Sequence, residues 1–301
     1  MTDSRLLPRP QLPSLLLPSL LLPSLLLPLL LLPVSTSYGQ SLGVVGANLG
    51  IESLPLYVAS DRLRVEGVSQ NLHISYHPFD NVSVGTSYNR LAASTNGADD
   101  AHYDYHENSL NAGYQWQDAW FDINLSRSQG SVDATLADGL QVDSHADGES
   151  AVFNMGYDWY FERWSPGISA GIGISRLDFQ EDQRERSARQ IQRLQEEHSG
   201  TDGYLGVTLG YMTNVAGQTL VPMLGIDYQH RLQGEILGNN QTSGFANNGD
   251  NSTSNRSTVQ QTRARIGLWW PQRHWTLSTK VSGTLNCPCE QMWQMGAAYS
   301  F

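Results

Sequence analysis

From about residue 60 onward the chain alternates apolar and polar residues with a period of two. Val82, Val84, Thr86 and Tyr88 alternate with Ser83, Gly85, Ser87 and Asn89. Leu110, Ala112, Tyr114 and Trp116 do so with Asn111, Gly113 and Gln115, and Phe121, Ile123 and Leu125 with Asp122, Asn124 and Ser126. The same rhythm runs through Phe153 to Trp159, Ile168 to Ile174, Leu205 to Tyr211 and Leu220 to Leu232, then through Thr262 to Trp270, Trp275 to Val281 and Trp293 to Phe301. Successive side chains of a strand point to opposite sides of the sheet, so each segment reads as a strand with one apolar face. A β-sandwich or a small lipocalin-like barrel shows the same alternation, with the apolar face inside.

The connections separate these architectures. Short ones lie near 78–81, 117–119, 160–166, 212–218 and 271–274. Long ones, rich in Asp, Asn, Gly and Ser, lie near 91–101, 129–149, 178–202 and 233–257. Strict short–long order is the habit of transmembrane barrels, with tight periplasmic turns and long external loops. Seven of the eight tryptophans flank three of the short turns: Trp116 and Trp120, Trp159 and Trp164, then Trp269, Trp270 and Trp275. Indole rings favour the headgroup layer, so these seven are expected to form an aromatic girdle.

The N-terminus is of another kind. Arg5 and Arg9 precede a Leu/Pro/Ser stretch with prolines at 13, 18, 23, 28 and 33, followed by Ser37, Tyr38 and Gly39. Interior prolines oppose a stable spanning helix. A basic start, a leucine-rich middle and a small-residue exit describe a secretory signal over residues 1–39, removed on export. Residues 40–60 are then a first strand or a lumen plug, and 61–301 the barrel.

The terminal run Trp293-Gln-Met-Gly-Ala-Ala-Tyr-Ser-Phe301, with Trp293, Met295, Ala297, Tyr299 and Phe301 on one face, resembles the assembly signal of bacterial outer-membrane β-barrels. The resemblance implies an all-β, antiparallel up-and-down barrel in the outer membrane of a Gram-negative bacterium. Its implied partners are outer-membrane lipid and lipopolysaccharide, with the secretion and barrel-assembly machineries acting during biogenesis. About eleven strands can be traced back from Phe301. Single-chain bacterial barrels have even numbers, so twelve is expected, with ten the alternative. The missing strand lies in 41–60 or in a split of 55–77 near Asp61. Twelve strands also look like the translocator barrel of autotransporters, but that family carries a passenger ahead of the barrel, whereas only residues 40–60 stand there here.

Charge and chemistry refine this picture. The net charge of −11 argues against nucleic acid as a partner. Cys287 and Cys289 form one Cys-Pro-Cys run in the last external loop, too close for an unstrained bridge. If one face of each strand meets lipid, the other meets the lumen. That reading puts Arg62, Arg64, Arg263, Arg265 and Lys280 on one lumen wall and Asp122 and Asp158 across from them, among small residues such as Gly171, Gly173, Gly206 and Gly210. Facing charges of this kind favour polar solutes in a water-filled channel. The same charges would pair with each other in a plugged barrel that acts through its acidic external loops.

A lipid-hydrolysing barrel needs Ser, His and an orienting group on the lipid face. His230 alone faces outward near the external rim, beside Thr258 and Thr262 and no serine. The remaining histidines show no metal spacing, and His102 and His106, with Asp104 between them, read as a solvated strand end. No enzyme activity, cofactor or metal is expected. The Arg/Glu-rich stretch 180–197 has the composition of a solvated loop helix.

Overall fold

The computed structural model describes residues 43–58, 61–95, 99–184, 191–243, 260–285 and 291–301. The N-terminal segment read as a signal and the Cys287/Cys289 pair lie outside them. Thirteen strands follow one another: β1 (Gly43–Val58), β2 (Asp61–Phe79), β3 (Val82–Thr95), β4 (Asp100–Trp116), β5 (Ala119–Thr135), β6 (Gln141–Asp158), β7 (Trp164–Arg184), β8 (Ile191–Tyr211), β9 (Thr213–Val215), β10 (Gln218–Ser243), β11 (Gln260–Pro271), β12 (Trp275–Thr284) and β13 (Gln291–Ser300). The three-residue β9 pairs only with the start of β10. The other twelve close on themselves as an antiparallel up-and-down barrel.

Closure runs through β1, which pairs with β2 on one edge and β13 on the other. Residues 43–58 are thus a wall strand. The segment 55–77 is divided as well, since β1 ends at Val58 and β2 begins at Asp61. Closing the sheet removes every unpaired edge, the only way a sheet can satisfy its backbone in a medium without water.

The short turns are tight. Ala216 and Gly217 both take positive φ, 51° and 78°, between β9 and β10. Two consecutive left-handed residues match the twist of a two-residue hairpin. At the other end the strands run much further than the roughly 9–11 residues that cross a bilayer. β7 and β8 have 21 residues each. In place of a loop helix over 180–197, both strands continue until Arg184 pairs with Ile191. Pairing with β6 and β10 along this length outweighs local helical propensity.

Large apolar side chains cover the outer wall next to the short turns. Leu49, Ile172 and Ile266 are 57%, 49% and 63% exposed there. Exposed apolar area on this scale belongs against hydrocarbon. The described core lies elsewhere, inside the long-loop ends of β2–β6. Leu63, Ala101, Val132, Ala134, Leu136 and Val142 form one buried cluster, and Val65, Leu91 and Ala93 form a second, with Tyr103 packed against both. The main-chain N–H of Ala137 donates to Asp99 at 2.8 Å, tying the β5–β6 turn to the segment before β4.

Candidate functional site: the barrel lumen

Within the apolar belt, register divides each strand between lipid and lumen. On β12 and β13 the outward set is Leu277, Thr279 and Val281 against Ala297, Met295 and Trp293. That leaves Lys280, Ser282 and Thr284 inward. Lys280 pairs with Gly267, and Arg265 with Ser282, so Arg263, Arg265 and Lys280 share the inner face of β11 and β12.

Two acids enter this wall from neighbouring strands. The Arg265 guanidinium donates to Asp227 of β10 at 3.0 Å, and a Cβ on Gly225, the register partner of Arg265, would overlap the Arg265 side chain. Glycine is what lets the guanidinium lie flat along the strand here. Two tiers higher, Arg231 grips Asp202 of β8 through two hydrogen bonds of 2.9 and 3.1 Å. The Asp202 side chain is only 6% exposed, and the β10 register shifts immediately after Arg231. A β-bulge re-aims side chains in this way. Asp202, Asp227 and Arg231 had no signal in the alternation, because inward charges in a barrel carry no apolar partner pattern of their own.

Across from it, at mid-depth, the wall is lined mainly by small hydroxyl and amide side chains. Ser87, Ser109, Ser126, Ser150 and Ser175 stand in register on β3 through β7. Ser87 and Ser109 are hydrogen-bonded at 2.7 Å, and Ser126 and Ser150 at 2.8 Å. Asn48 donates to Asn71 at 3.0 Å, and Asn71 to Asn89. Asn111 pairs with Asn124 one tier nearer the short turns. Asp122 also faces inward, beside Asn154. From β12 the ring of twelve reaches β5 after six steps either way, so Asp122 stands diametrically across from Lys280.

Several residues lie on the opposite side of the wall from the one expected of them. Arg64 is on the outer face, bonded to Ser53 at 2.8 Å and 4.0 Å from Glu66. Its inward neighbours are the buried Leu63 and Val65. Arg62 lies on β2 opposite Tyr57, and its side chain falls outside the described residues. Trp120 points inward, packed over Gly156, where a Cβ would collide with its ring. It shares the inner face with Asp158, at the short-turn rim. Trp269 pairs with Ser278 and Val221 on the inner parity. Neither indole belongs to an outer girdle. Trp116, Trp164 and Trp275 are exposed on the outer wall, Trp164 against Tyr211 and Trp275 against Tyr299 at ring distances of 4.5 and 4.9 Å. Trp159 leans on Tyr157 at 4.8 Å, and Trp270 pairs with the outward Leu277. The terminal set Trp293, Met295, Ala297 and Tyr299 lies along the outer face of β13, and the main-chain N–H of Phe301 donates to the Gly43 carbonyl at 3.1 Å.

Beyond the belt the outer face carries charge. Arg90 is paired with Asp104 at 2.9 Å and Arg176 with Glu197 at 3.2 Å. The Arg193 guanidinium donates to Asp182 and holds its carboxyl below the usual carboxylate range. On the inner face of the same region, burial pushes the Tyr103 phenol up to about 12. His102 and His106 are outward, and His106 meets Gln129 at 2.9 Å. His230 stacks on Tyr228 at 6.2 Å, with Gly203 and Gln260 as its register partners.

No family model and no curated protein matches the sequence. Solved structures do match in shape. The translocator domain of the autotransporter NalP from Neisseria meningitidis superposes with a TM-score of 0.62 at 10% identity, over 88% of this chain and 90% of that one. The beta domain of the Bordetella autotransporter BrkA gives 0.58 at 12% identity, over 87% and 100%. The chain folds as an outer-membrane β-barrel. An outer-membrane channel from Pseudomonas putida F1 matches with a TM-score of 0.52 at 12% identity, over 89% and 100%. At such identities the likeness is one of architecture. In barrels of this architecture the tight turns face the periplasm and the longer strand ends lie outside.

Proposed function

We propose that this outer-membrane barrel is a narrow, non-enzymatic channel for small polar solutes in a Gram-negative bacterium. The observation that carries the reading is the division of the lumen: Arg263, Arg265 and Lys280 on one side, and Asp122 with the serine and asparagine ladders on the other. A wall of hydroxyls, amides and charges is stable only if wetted or internally paired. Here the ladders use short side chains that leave space for water. Charges across a low-dielectric tube set up a transverse field that favours dipolar and charged solutes over apolar ones. His230, flanked by Gly203 and Gln260, meets no nucleophile in its register pairs, which weighs against a lipid hydrolase.

One observation favours a second reading, a closed barrel acting through its surface. The apolar clusters inside β2–β6 occupy part of the external mouth. Single-channel recording of the refolded barrel in a planar bilayer separates the two. Steady openings whose ion selectivity changes in Arg265→Ala are expected of the channel. A correctly folded but silent barrel would sink that reading and move attention to the external strand ends.

A further inference from the structure

Near its short-turn end the inner wall of β5 to β8 is built from small polar side chains, with one exception. From Trp120 the register row runs through Gly156, Ser169 and Gly206. The indole lies over Gly156, where a Cβ would collide with its ring atoms Cε2 and Cζ2. One face of the ring therefore rests on the wall, and the half-buried side chain turns its other face to the lumen. Trp120 belongs to neither of the buried apolar clusters. An apolar face set into a polar wall in this way marks a contact surface rather than a core.

Polar groups bracket the ring on both sides along the strands. Towards the turn, the indole N–H is hydrogen-bonded to Asp158. The Asp158 carboxylate and the Thr208 hydroxyl converge over Gly167, where a Cβ would meet both. Away from the turn, Asp122 lies two residues along the same face of β5, about 7 Å on. It is hydrogen-bonded to Asn154, which in turn lies over Gly171. The three glycines let Trp120, Asp158 and Asn154 lie along the wall rather than across the pore. A carboxylate carries about four acceptor sites, so a bond to Trp120 or Asn154 leaves capacity for hydroxyl donors.

A flat apolar face between two sets of hydroxyl-bonding groups is complementary to a pyranose ring. The weakly positive axial C–H groups of such a ring lie against the electron-rich face of an indole. Its equatorial hydroxyls point sideways, towards acceptors at the edges of the platform, and bonds from hydroxyl to carboxylate are charge-assisted. An acyclic polyol offers the hydroxyls without the face, and an acidic sugar meets two like charges. We infer that Trp120, bracketed by Asp158 and Asp122, is a stacking station for neutral pyranose sugars at the short-turn mouth of the lumen. This names a solute class for the channel reading and rests on that reading for transport, though not for binding.

Calorimetric titration of the refolded barrel, in micelles of a detergent without a sugar headgroup, tests the station. Methyl β-D-glucopyranoside is the probe, and D-glucitol, with hydroxyls but no ring, is the control. The barrel is expected to bind glucitol roughly tenfold more weakly than the glucoside. Trp120→Leu should remove that preference, and Trp120→Phe, which keeps a ring face, should retain much of it. Asp122→Asn should weaken glucoside binding roughly fivefold. A correctly folded barrel, judged by its heat-dependent gel shift, that binds neither compound or both equally overturns the station. So does an undiminished preference in Trp120→Leu or unchanged glucoside binding in Asp122→Asn. Single-channel recording answers for the channel separately: a silent barrel that still prefers the glucoside keeps the station and removes the transport reading.

Discussion

Ile123 and Asn124 are chain neighbours on β5 assigned to opposite solvents, and an arginine at each tests the assignment. Ile123 pairs with Ala112 and Phe153 on the outer wall and is 49% exposed. It lies between Phe121 and Leu125, two outward positions short of Arg127, which places it well inside the belt. An arginine near the bilayer midplane costs about 2–4 kcal/mol in a transmembrane barrel. Taking about 3 kcal/mol, Ile123→Arg should shift the folding equilibrium by roughly two powers of ten. Asn124 pairs with Asn111 and Val152 on the inner wall. An arginine there stays hydrated and has Asp122 two residues away on its own face, so Asn124→Arg should cost less than about 1 kcal/mol.

Reversible urea unfolding of the barrel in lipid vesicles measures both, with tryptophan fluorescence and the heat-dependent gel shift as independent probes. Equal costs for the two variants would mean that the wall does not separate lipid from water at β5. A larger cost at Asn124 would mean that the register is slipped by one residue, which turns every side chain of the strand over.

Other consequences are equally direct. Arg231→Ala strands the almost fully buried Asp202 carboxylate and should destabilise the barrel by about 3–5 kcal/mol, with most of the loss recovered on adding Asp202→Asn; a loss below about 1 kcal/mol in the single variant would contradict the burial. Because Arg193 holds the Asp182 carboxyl below its ordinary value, this pair contributes stability above the unfolded carboxylate pKa of about 3.9 and loses it as pH falls through the lower folded value. Amide exchange at the external ends of β7 and β8 should therefore quicken at acid pH, and Asp182→Asn should remove that dependence; a flat wild-type profile would count against the pair. In vesicles of brominated lipid, a variant keeping only Trp116 should be quenched, and one keeping only Trp120 should not; the reverse would return Trp120 to the girdle.

Much of this molecule was readable before any coordinates. Phe121, Ile123 and Leu125 announce a strand with one wall in lipid, and the alternation of short and long connections announces an up-and-down barrel with an even strand count. What the alternation cannot report is side-chain company. Asp227 and Asp202 meet Arg265 and Arg231 because β10 lies between β8 and β11, a consequence of register that no single strand contains. The tryptophans show the same limit. Trp116 and Trp120 bracket one turn, but four residues and a tight hairpin send them to opposite walls, since Trp116 is paired with Ala119 and Trp120 with Gln115. Proximity to a turn fixes depth, and parity alone fixes side.

The misplacement of Arg64 has a more general cause, which turns into a tool. The period of two persists along each strand, but the apolar phase slips by one residue where the strand leaves the belt. On β5 the apolar set is Phe121, Ile123 and Leu125, then Val132 and Ala134. On β4 it is Tyr114, Ala112 and Leu110, then Tyr105, Tyr103 and Ala101. On β2 it is Ile74, Leu72 and Val68, then Val65 and Leu63. In hydrocarbon the outer wall must be the apolar one. Above it both walls would meet water, and the inward side chains of β2–β6 instead pack on one another, while Arg64, Asp133 and Asp143 turn outward. Each slip marks the membrane boundary on its strand. Taking the apolar set as the lipid face beyond that point inverts the assignment, which is how a residue beside buried Val65 was expected to line a water-filled pore. Arg263, Arg265 and Lys280 lie on the belt side of any such slip, flanked by the exposed Ile266 and Val281 on the outer wall, so the same argument that moves Arg64 out keeps all three of them in.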